Sequence, residues 1–320
     1  MTPSGRDARP LVPVIVGPTA VGKTAVVAAW AELEPLAVIS ADARQVYRGM
    51  DVGTAKPAPL LRERLPHYGL DVVHPGETYS AGRFAHDAAE WIAEARGAGR
   101  QPVVVGGTGF YVRALADGLF REPPLDGAQR AALRAWAATV PGAELARWAA
   151  RLDRRFGGGG RQRAARAIEV ALLTGRALSF WQRAARAAGA MRPWYVVLTV
   201  PRDVLHRRIA ARAREMLAGG LVDEVRALLR SGVDPHAPGL DAVGYREVVA
   251  MLEGRLAPSD LVDAITIATR QYAKRQETWF RHQLQPEPVW TLDAAGAPAT
   301  VAQEVAARWR VVSRTPVEVA

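Results

Sequence analysis

The chain has 320 residues, 49% of them hydrophobic, which is ample for a buried core in one large domain or two ordinary ones. It contains no cysteine, which excludes disulfide staples, thiolate metal sites and a cysteine nucleophile. No run approaches the roughly 18 apolar residues of a membrane span and "MTPSGRDARP" has no signal-type apolar segment, so a cytoplasmic protein without membrane contact is expected.

The apolar run "LVPVIVG" predicts a strand that leads straight into "GPTAVGKT", residues 17 to 24, and "KTAVVAAWAELE" after it predicts a helix. That order of strand, loop and helix is the context a phosphate-cradling loop needs. A second strand, "LAVIS", ends at Ser40 before the loop-like "ADARQVYRGMDVGTAKP". Ser80 is placed to cap a helix whose Phe84, Trp91, Ile92 and Ala95 share a face, with Gly97 and Gly99 ending it. "QPVVVGGTG" then reads as a further strand with a glycine turn. This alternation predicts a parallel sheet with ligands at the carboxyl ends of its strands.

From about Glu122 the alternation gives way to Ala/Arg-rich helical sequence, interrupted by Pro141 and by "GGGG" at 157 to 160. "WYVVLTVP" at 194 to 201 resumes a buried strand, followed by helices broken at Gly219 and Gly220 and by the helix "LVDAITIATRQYAKRQETWFRHQL". The expected fold class is α/β, a P-loop NTPase-like parallel sheet flanked by helices with an inserted all-helical domain. Residues 1–120 form the first part of the core, 121–190 the inserted basic domain, and 191–320 the rest of the core with C-terminal helices.

The net charge is +10, a sign that suits a polyanionic partner such as nucleic acid. Of 42 basic residues only Lys23, Lys56 and Lys274 are lysines, so the arginine excess says little by its total alone. Its position says more: residues 121–190 hold 13 Arg against 5 acidic residues, leaving +2 for everything else.

In the glycine loop, Gly17 and Gly22 allow backbone N–H groups to point at phosphate oxygens, the following helix presents its positive end, and Lys23 adds a full charge. Thr24 offers its hydroxyl to magnesium, and Thr19 can donate a hydrogen bond from inside the loop. Asp42, just past the second strand, has three readings: a general base, a metal-shell acid or a ribose-binding acid. In "GGTGFYVRAL" the glycines are expected to let a ligand approach, with Thr108 as a contact, Phe110 a core residue and the rings of Phe110 and Tyr111 alternatively stacking on a base. Arg163 and Arg166, next to Gln162, share a helical face that can track phosphates, and "TRQYAKRQETWFR" interleaves Arg270, Lys274, Arg275 and Arg281 with aromatic residues.

Six stretches, in the order "GPTAVGKT", "ISADARQVYRGMDVGTAKP", "GGTGFYVRALADGL", "RAIEVALLTGRALS", "AVGYREV" and "TRQYAKRQETWFR", together resemble the tRNA dimethylallyltransferases, also called tRNA isopentenyltransferases. The resemblance runs from about 14 to 282. It implies transfer of a dimethylallyl group from dimethylallyl diphosphate to the exocyclic amine of an adenine beside the anticodon, with the base flipped out of the anticodon stem-loop of tRNA. The loop Gly17, Pro18, Thr19, Ala20, Val21, Gly22, Lys23 and Thr24 would then hold a diphosphate leaving group, with magnesium (Mg2+) at Thr24. Asp42 is implied as general base, with Thr19 and Arg212 as further catalytic residues. Contacts to tRNA are implied for Asp42, Ala43, Arg44, Gln45, Thr108, Arg130, Gln162, Arg163, Arg166, Lys274 and Arg275, and a monomer is expected.

Two residues depart from the family pattern: Val21 replaces a common Ser or Thr, and Ala43 the serine that usually follows the aspartate. The "GGGG" stretch is also longer than usual. A small-molecule or nucleotide kinase would share the loop and the acid after the second strand, but not need the basic insertion.

Overall fold

The computed structural model describes residues 8–120, 125–184, 188–284 and 288–314. The strands are β1 (Leu11–Val16), β2 (Leu36–Ser40), β3 (His67–Tyr68), β4 (Gln101–Gly106), β5 (Arg192–Thr199) and β6 (Val289–Asp293). They form one sheet in the order β3-β2-β4-β1-β5-β6 with every pairing parallel. The helices are α1 (Lys23–Ala31), α2 (Pro59–Arg64), α3 (Ala81–Gly97), α4 (Gly109–Asp117), α5 (Gly127–Thr139), α6 (Gly142–Leu152), α7 (Arg161–Thr174), α8 (Leu178–Ala184), α9 (Arg202–Ala218), α10 (Leu221–Arg230), α11 (Tyr245–Leu252), α12 (Leu261–Gln283) and α13 (Pro298–Arg314).

The chain divides into two units, one running to Ala116 and resuming at Ala190, the other spanning Asp117–Gly189.

In the sheet unit β1, β2 and β4 are short Val/Ile-rich runs buried almost throughout, as strands covered on both faces must be. The core on one side of the sheet joins Ile15, Leu36, Val103, Val196 and Leu198 to Trp30 of α1 and Trp309 of α13. Ser80 caps α3 as its sequence predicts, its hydroxyl accepting the Arg83 N–H at 3.1 Å, and Phe84, Ile92 and Ala95 are buried while Trp91 stacks on Tyr68. The edge strand β6 has no counterpart in the sequence reading: only Leu292 of its five residues is buried, so "VWTLD" lacks the apolar run that marks the inner strands.

The "DVGTAKP" loop is tied down from two sides. The Glu224 carboxylate accepts the N–H groups of Asp51 and Val52 at 2.8 Å and of Gly53 at 3.2 Å, and the Tyr245 hydroxyl donates to the same carboxylate. The buried Lys56 ammonium donates to the Tyr47 carbonyl at 2.6 Å and pairs with Asp51 at 2.8 Å and Asp71 at 2.5 Å. A cation that far from water persists only when its donors are all engaged.

The second unit packs α5, α6 and α7 around Ala137, Leu145, Ala149, Ala164, Ala167 and Ile168, where alanines let helices approach closely. Asp153 is buried there and accepts the N–H and hydroxyl of Ser179 at 2.8 and 2.7 Å. Burial pushes its carboxyl up, but these hydrogen bonds outweigh that and leave it below the ordinary aspartate value.

Candidate active site

The carboxyl ends of β1, β2 and β4 share one edge of the sheet, and β1 lies where the strand order reverses, the place at which open α/β sheets bind ligands. From that edge β1 delivers the loop 17–24, β2 delivers Asp42, and β4 delivers Gly107 and Thr108. A pocket opens among them, with Lys23, Thr24 and Asp42 on its polar side and Val27, Val38, Leu65 and Val105 on its apolar side.

Lys23 is largely buried, and its ammonium donates to the Gly17 and Pro18 carbonyls, each at 2.9 Å. Burial pushes its pKa down to about 8, the Asp42 carboxylate opposes the shift, and the Arg212 guanidinium adds to it. Burial also lowers Arg212, against the pull of Asp42 and Glu215. Lys23, Asp42 and Arg212 therefore sense one another's charge at one site. Sequence reading had assigned these three residues to one reaction.

The rest of the loop divides its work. Val21 is wholly buried in the core, so its side chain is unavailable to a ligand, and its carbonyl accepts from Arg208 at 2.9 Å. Ala20 adopts a left-handed φ of 64°. The Thr19 N–H goes to the Gln276 carbonyl oxygen at 2.8 Å. The first amides of α1, at Lys23 and Thr24, have by position no acceptor within the helix, and both residues line the pocket.

Beside Asp42, its own Oδ1 accepts the Arg44 N–H at 2.9 Å, a tight turn that fixes the carboxylate. Thr108 Oγ1 accepts the Ala43 N–H at 3.0 Å, so position 43 contributes through its backbone, whichever side chain it carries. Arg44 donates to the Pro238 carbonyl at 2.8 Å. Gln45 spends its amide internally, accepting from Ser40 at 2.9 Å and donating to the Thr54 and Ala55 carbonyls at 3.2 and 3.3 Å.

The glycines of "GGTG" serve a purpose other than the ligand approach expected of them. A Cβ on Gly106 would stand 2.1 Å from the Ala41 carbonyl oxygen, on Gly107 2.1 Å from the Gln276 amide nitrogen, and on Gly109 2.1 Å from the Trp279 ring. Protein fills these spaces, and most of it comes from α12. Tyr272, Gln276 and Trp279 recur along one face of that helix. Burial and then the Asp42 charge push the Tyr272 phenol up to about 12, while Arg44, Thr108 and Arg275 pull the other way. Phe110 is exposed, with the Arg113 guanidinium 5.6 Å from its ring centroid, so it is not the core residue expected. Lys274 and Arg275 are exposed on α12, with the Arg275 guanidinium 5.8 Å from the Tyr272 ring centroid.

Sequence reading missed Arg208, Tyr272, Gln276 and Trp279 as site residues. The spacing of the last three was visible in the α12 sequence, but their partners lie more than 160 residues away, and spacing alone does not say which face meets which loop.

In the second unit, Gln162 and Arg163 are exposed on α7. Arg130 and Arg166 both bond to the buried Glu169, Arg130 at 3.0 Å, and Arg134 joins them at 2.9 Å. Burial raises the Glu169 carboxyl, but Arg134, Arg130 and Arg166 together bring it below its ordinary value. The three guanidinium groups are thus held in fixed places around one carboxylate.

A family model described as IPP transferase matches residues 45–283. A tRNA dimethylallyltransferase from Halorhodospira halophila is 46% identical over 276 residues, 84% of this chain and 89% of that protein. One from Bordetella petrii is 43% identical over 286 residues, 87% of this chain and 91% of that protein. Among solved structures, the tRNA isopentenylpyrophosphate transferase from Bacillus halodurans has 31% identity and a TM-score of 0.69, covering 95% of this chain and 96% of that one. A eukaryotic dimethylallyltransferase acting on tRNA has 23% identity and a TM-score of 0.80, covering 97% of this chain and 81% of that one, a likeness in fold.

Proposed function

Since the chain belongs to the IPP transferase family, a family of tRNA dimethylallyltransferase enzymes, we propose that it transfers the dimethylallyl group of dimethylallyl diphosphate to the N6 amine of an adenine beside the anticodon of tRNA. The observation that carries this reading is the meeting of the Lys23, Asp42 and Arg212 charges at the sheet edge, where Lys23 and Asp42 line a pocket together with apolar side chains. The five-carbon chain suits the side formed by Val27, Val38, Leu65 and Val105.

In the reaction the allylic C1–O bond breaks and its electron pair leaves with the diphosphate, while the N6 lone pair forms the new bond to C1. Lys23, Arg212 and the loop amides stabilise the charge that develops on the leaving group. Asp42 receives the proton that N6 must lose, and its turn with Arg44 holds the carboxylate in place. The adenine reaches this depth only when extruded from its stacked loop, which costs a few kcal/mol and is easier in an RNA loop than in a duplex.

Magnesium fits the pocket mouth. Among the described residues no cluster of three or more His, Cys, Asp or Glu could cage a metal, and an ion that keeps most of its water needs only the Thr24 hydroxyl together with phosphate oxygens. Bound there, it would neutralise charge on the departing diphosphate.

In this reading the sheet unit meets RNA through Ala43, Arg44, Thr108 and the exposed Lys274 and Arg275 of α12, with Gln45 shaping that loop from within, and the second unit meets RNA through Arg130, Gln162, Arg163 and Arg166. The Asp42→Asn variant tests the assignment, with labelled dimethylallyl diphosphate and an anticodon stem-loop RNA as substrates and γ-labelled ATP as control. Label should enter RNA with the wild type and fall at least about a hundredfold with Asp42→Asn, while RNA binding persists. Transfer of label from ATP in place of the prenyl donor would replace this reading with a kinase.

A further inference from the structure

Gln276 bonds to two loops that come from different strands. It is 6% exposed; its carbonyl oxygen accepts the Thr19 N–H at 2.8 Å, and its amide nitrogen donates to the Gly107 carbonyl at 2.9 Å. Gly107 leaves no room for any side chain there, since a Cβ would stand 2.1 Å from that nitrogen. Thr19 belongs to the loop that cradles phosphate. Gly107 precedes Thr108, whose hydroxyl holds the Ala43 N–H beside Asp42. A primary amide offers an acceptor and a donor on one rigid plane, and here each serves a different half of the site.

We propose that Gln276 is a positioning residue that sets the separation between the diphosphate cradle and the loop bearing the general base, an inference that rests on the transfer reaction above. The physical reason is geometric. In a displacement whose leaving group and proton acceptor sit on separate loops, the N6-to-C1 distance is only as constant as the distance between those loops, and a misplacement of about 1 Å costs on the order of a hundredfold in rate. Arg208 and Lys23 bind carbonyls of the cradle but do not reach the 107–108 turn, whereas Gln276 spans both.

A side chain that merely fills space would, when replaced, lower stability and weaken both substrates alike. A spacer lowers kcat and leaves the affinities. Q276L keeps the volume and loses both hydrogen bonds; it should lose about 10- to 100-fold in kcat, with KM for donor and RNA within about threefold of wild type. Q276E supplies a second, independent readout. Its ionised carboxylate accepts from Thr19 but faces the Gly107 carbonyl with negative charge, whereas its protonated form has the acceptor and donor of the native amide. The ratio of Q276E to wild-type kcat should therefore rise by about fivefold or more from pH 8 to pH 5.5.

Q276L turning over within about twofold of an active wild type would overturn the inference, as would equal losses of donor and RNA affinity together with a flat Q276E ratio. A wild-type protein that transfers no prenyl group at all would overturn the parent reading, and this one with it.

Discussion

The Lys23 ammonium titrates close to neutrality because it is buried, and that makes donor binding a measurable function of pH. Its pKa is pushed down to about 8, by burial first and by Arg212, against the pull of Asp42. A bound diphosphate restores the charge's partner and lifts the pKa out of the working range, so the protonated form binds and the neutral form does not. Affinity then falls by the factor 1 + 10^(pH − pKa), which rises from about 1.3 at pH 7.5 to about 11 at pH 9, a loss of roughly eightfold. The diphosphate's own last ionisation, with a pKa of about 6, is nearly complete by pH 7.5 and contributes little in this window.

The assay is calorimetric titration of dimethylallyl diphosphate, without RNA, at pH 7.5, 8.2 and 9.0. Run in two buffers of different ionisation enthalpy, it should also show a proton taken up on binding above pH 8. In Lys23→Arg the guanidinium stays charged throughout and the profile should be flat. Asp42→Asn removes the carboxylate that supports the ammonium, so the wild-type decline should move to lower pH. A wild-type affinity that changes less than about twofold between pH 7.5 and 9.0 would refute the reasoning.

Two further predictions concern packing. Replacing Glu169 by Ala removes the carboxylate that Arg130, Arg134 and Arg166 share and should cost about 2–3 kcal/mol at pH 7, below the range for fully buried pairs because the arginines are partly exposed. The Glu169 carboxyl is lowered in the folded state, so its contribution is present above its unfolded value of 4.5 and fades as pH falls through the lower folded one. Urea unfolding of wild type and variant should show a gap at pH 7 that narrows by pH 3.5, and an unchanged gap would sink the idea. Gly109→Ala drives a methyl into the Trp279 ring and should cost about 1–3 kcal/mol, with Gly109→Ala/Trp279→Leu recovering most of it. Additive losses in that double-mutant cycle would show that α12 does not seat on this turn.

The parts of the fold legible in the sequence were those whose signal is local. "LVPVIVGPTAVGKT" and "QPVVVGG" announce inner strands because burial on both faces forces unbroken apolar runs, and Ser80 announces a helix start because an N-cap needs only the next three residues. The edge strand β6 was illegible for the same reason in reverse. Only one of its residues is buried, and its pairing partner β5 is supplied by tertiary structure. The glycine-loop spacing brought Lys23 forward and the place after the second strand Asp42, while the family likeness added Arg212. It did not reveal that Gln45 is spent on Ser40 and two carbonyls, because a motif preserves residue types without saying which of them face the ligand.

The glycines of 106–109 show most clearly why such readings stop where they do. In sequence, "GGTG" after a buried strand looks like a turn cleared for a ligand, since glycine is what both a phosphate and a neighbouring backbone require. What decides between them is the identity of the occupant, and the occupant is Gln276 and Trp279, brought there by a helix more than 160 residues later. Deleting a side chain on the turn and placing an amide and an indole on α12 are two halves of one contact, and neither half carries a mark of the other. The exposed Lys274 and Arg275 of α12 lie within one helical turn of the same Gln276 that bonds to the loop 17–24. A site built this way depends on the seating of a single helix, so substitutions that shift α12 by a fraction of an ångström should act on the chemistry even when they touch neither substrate.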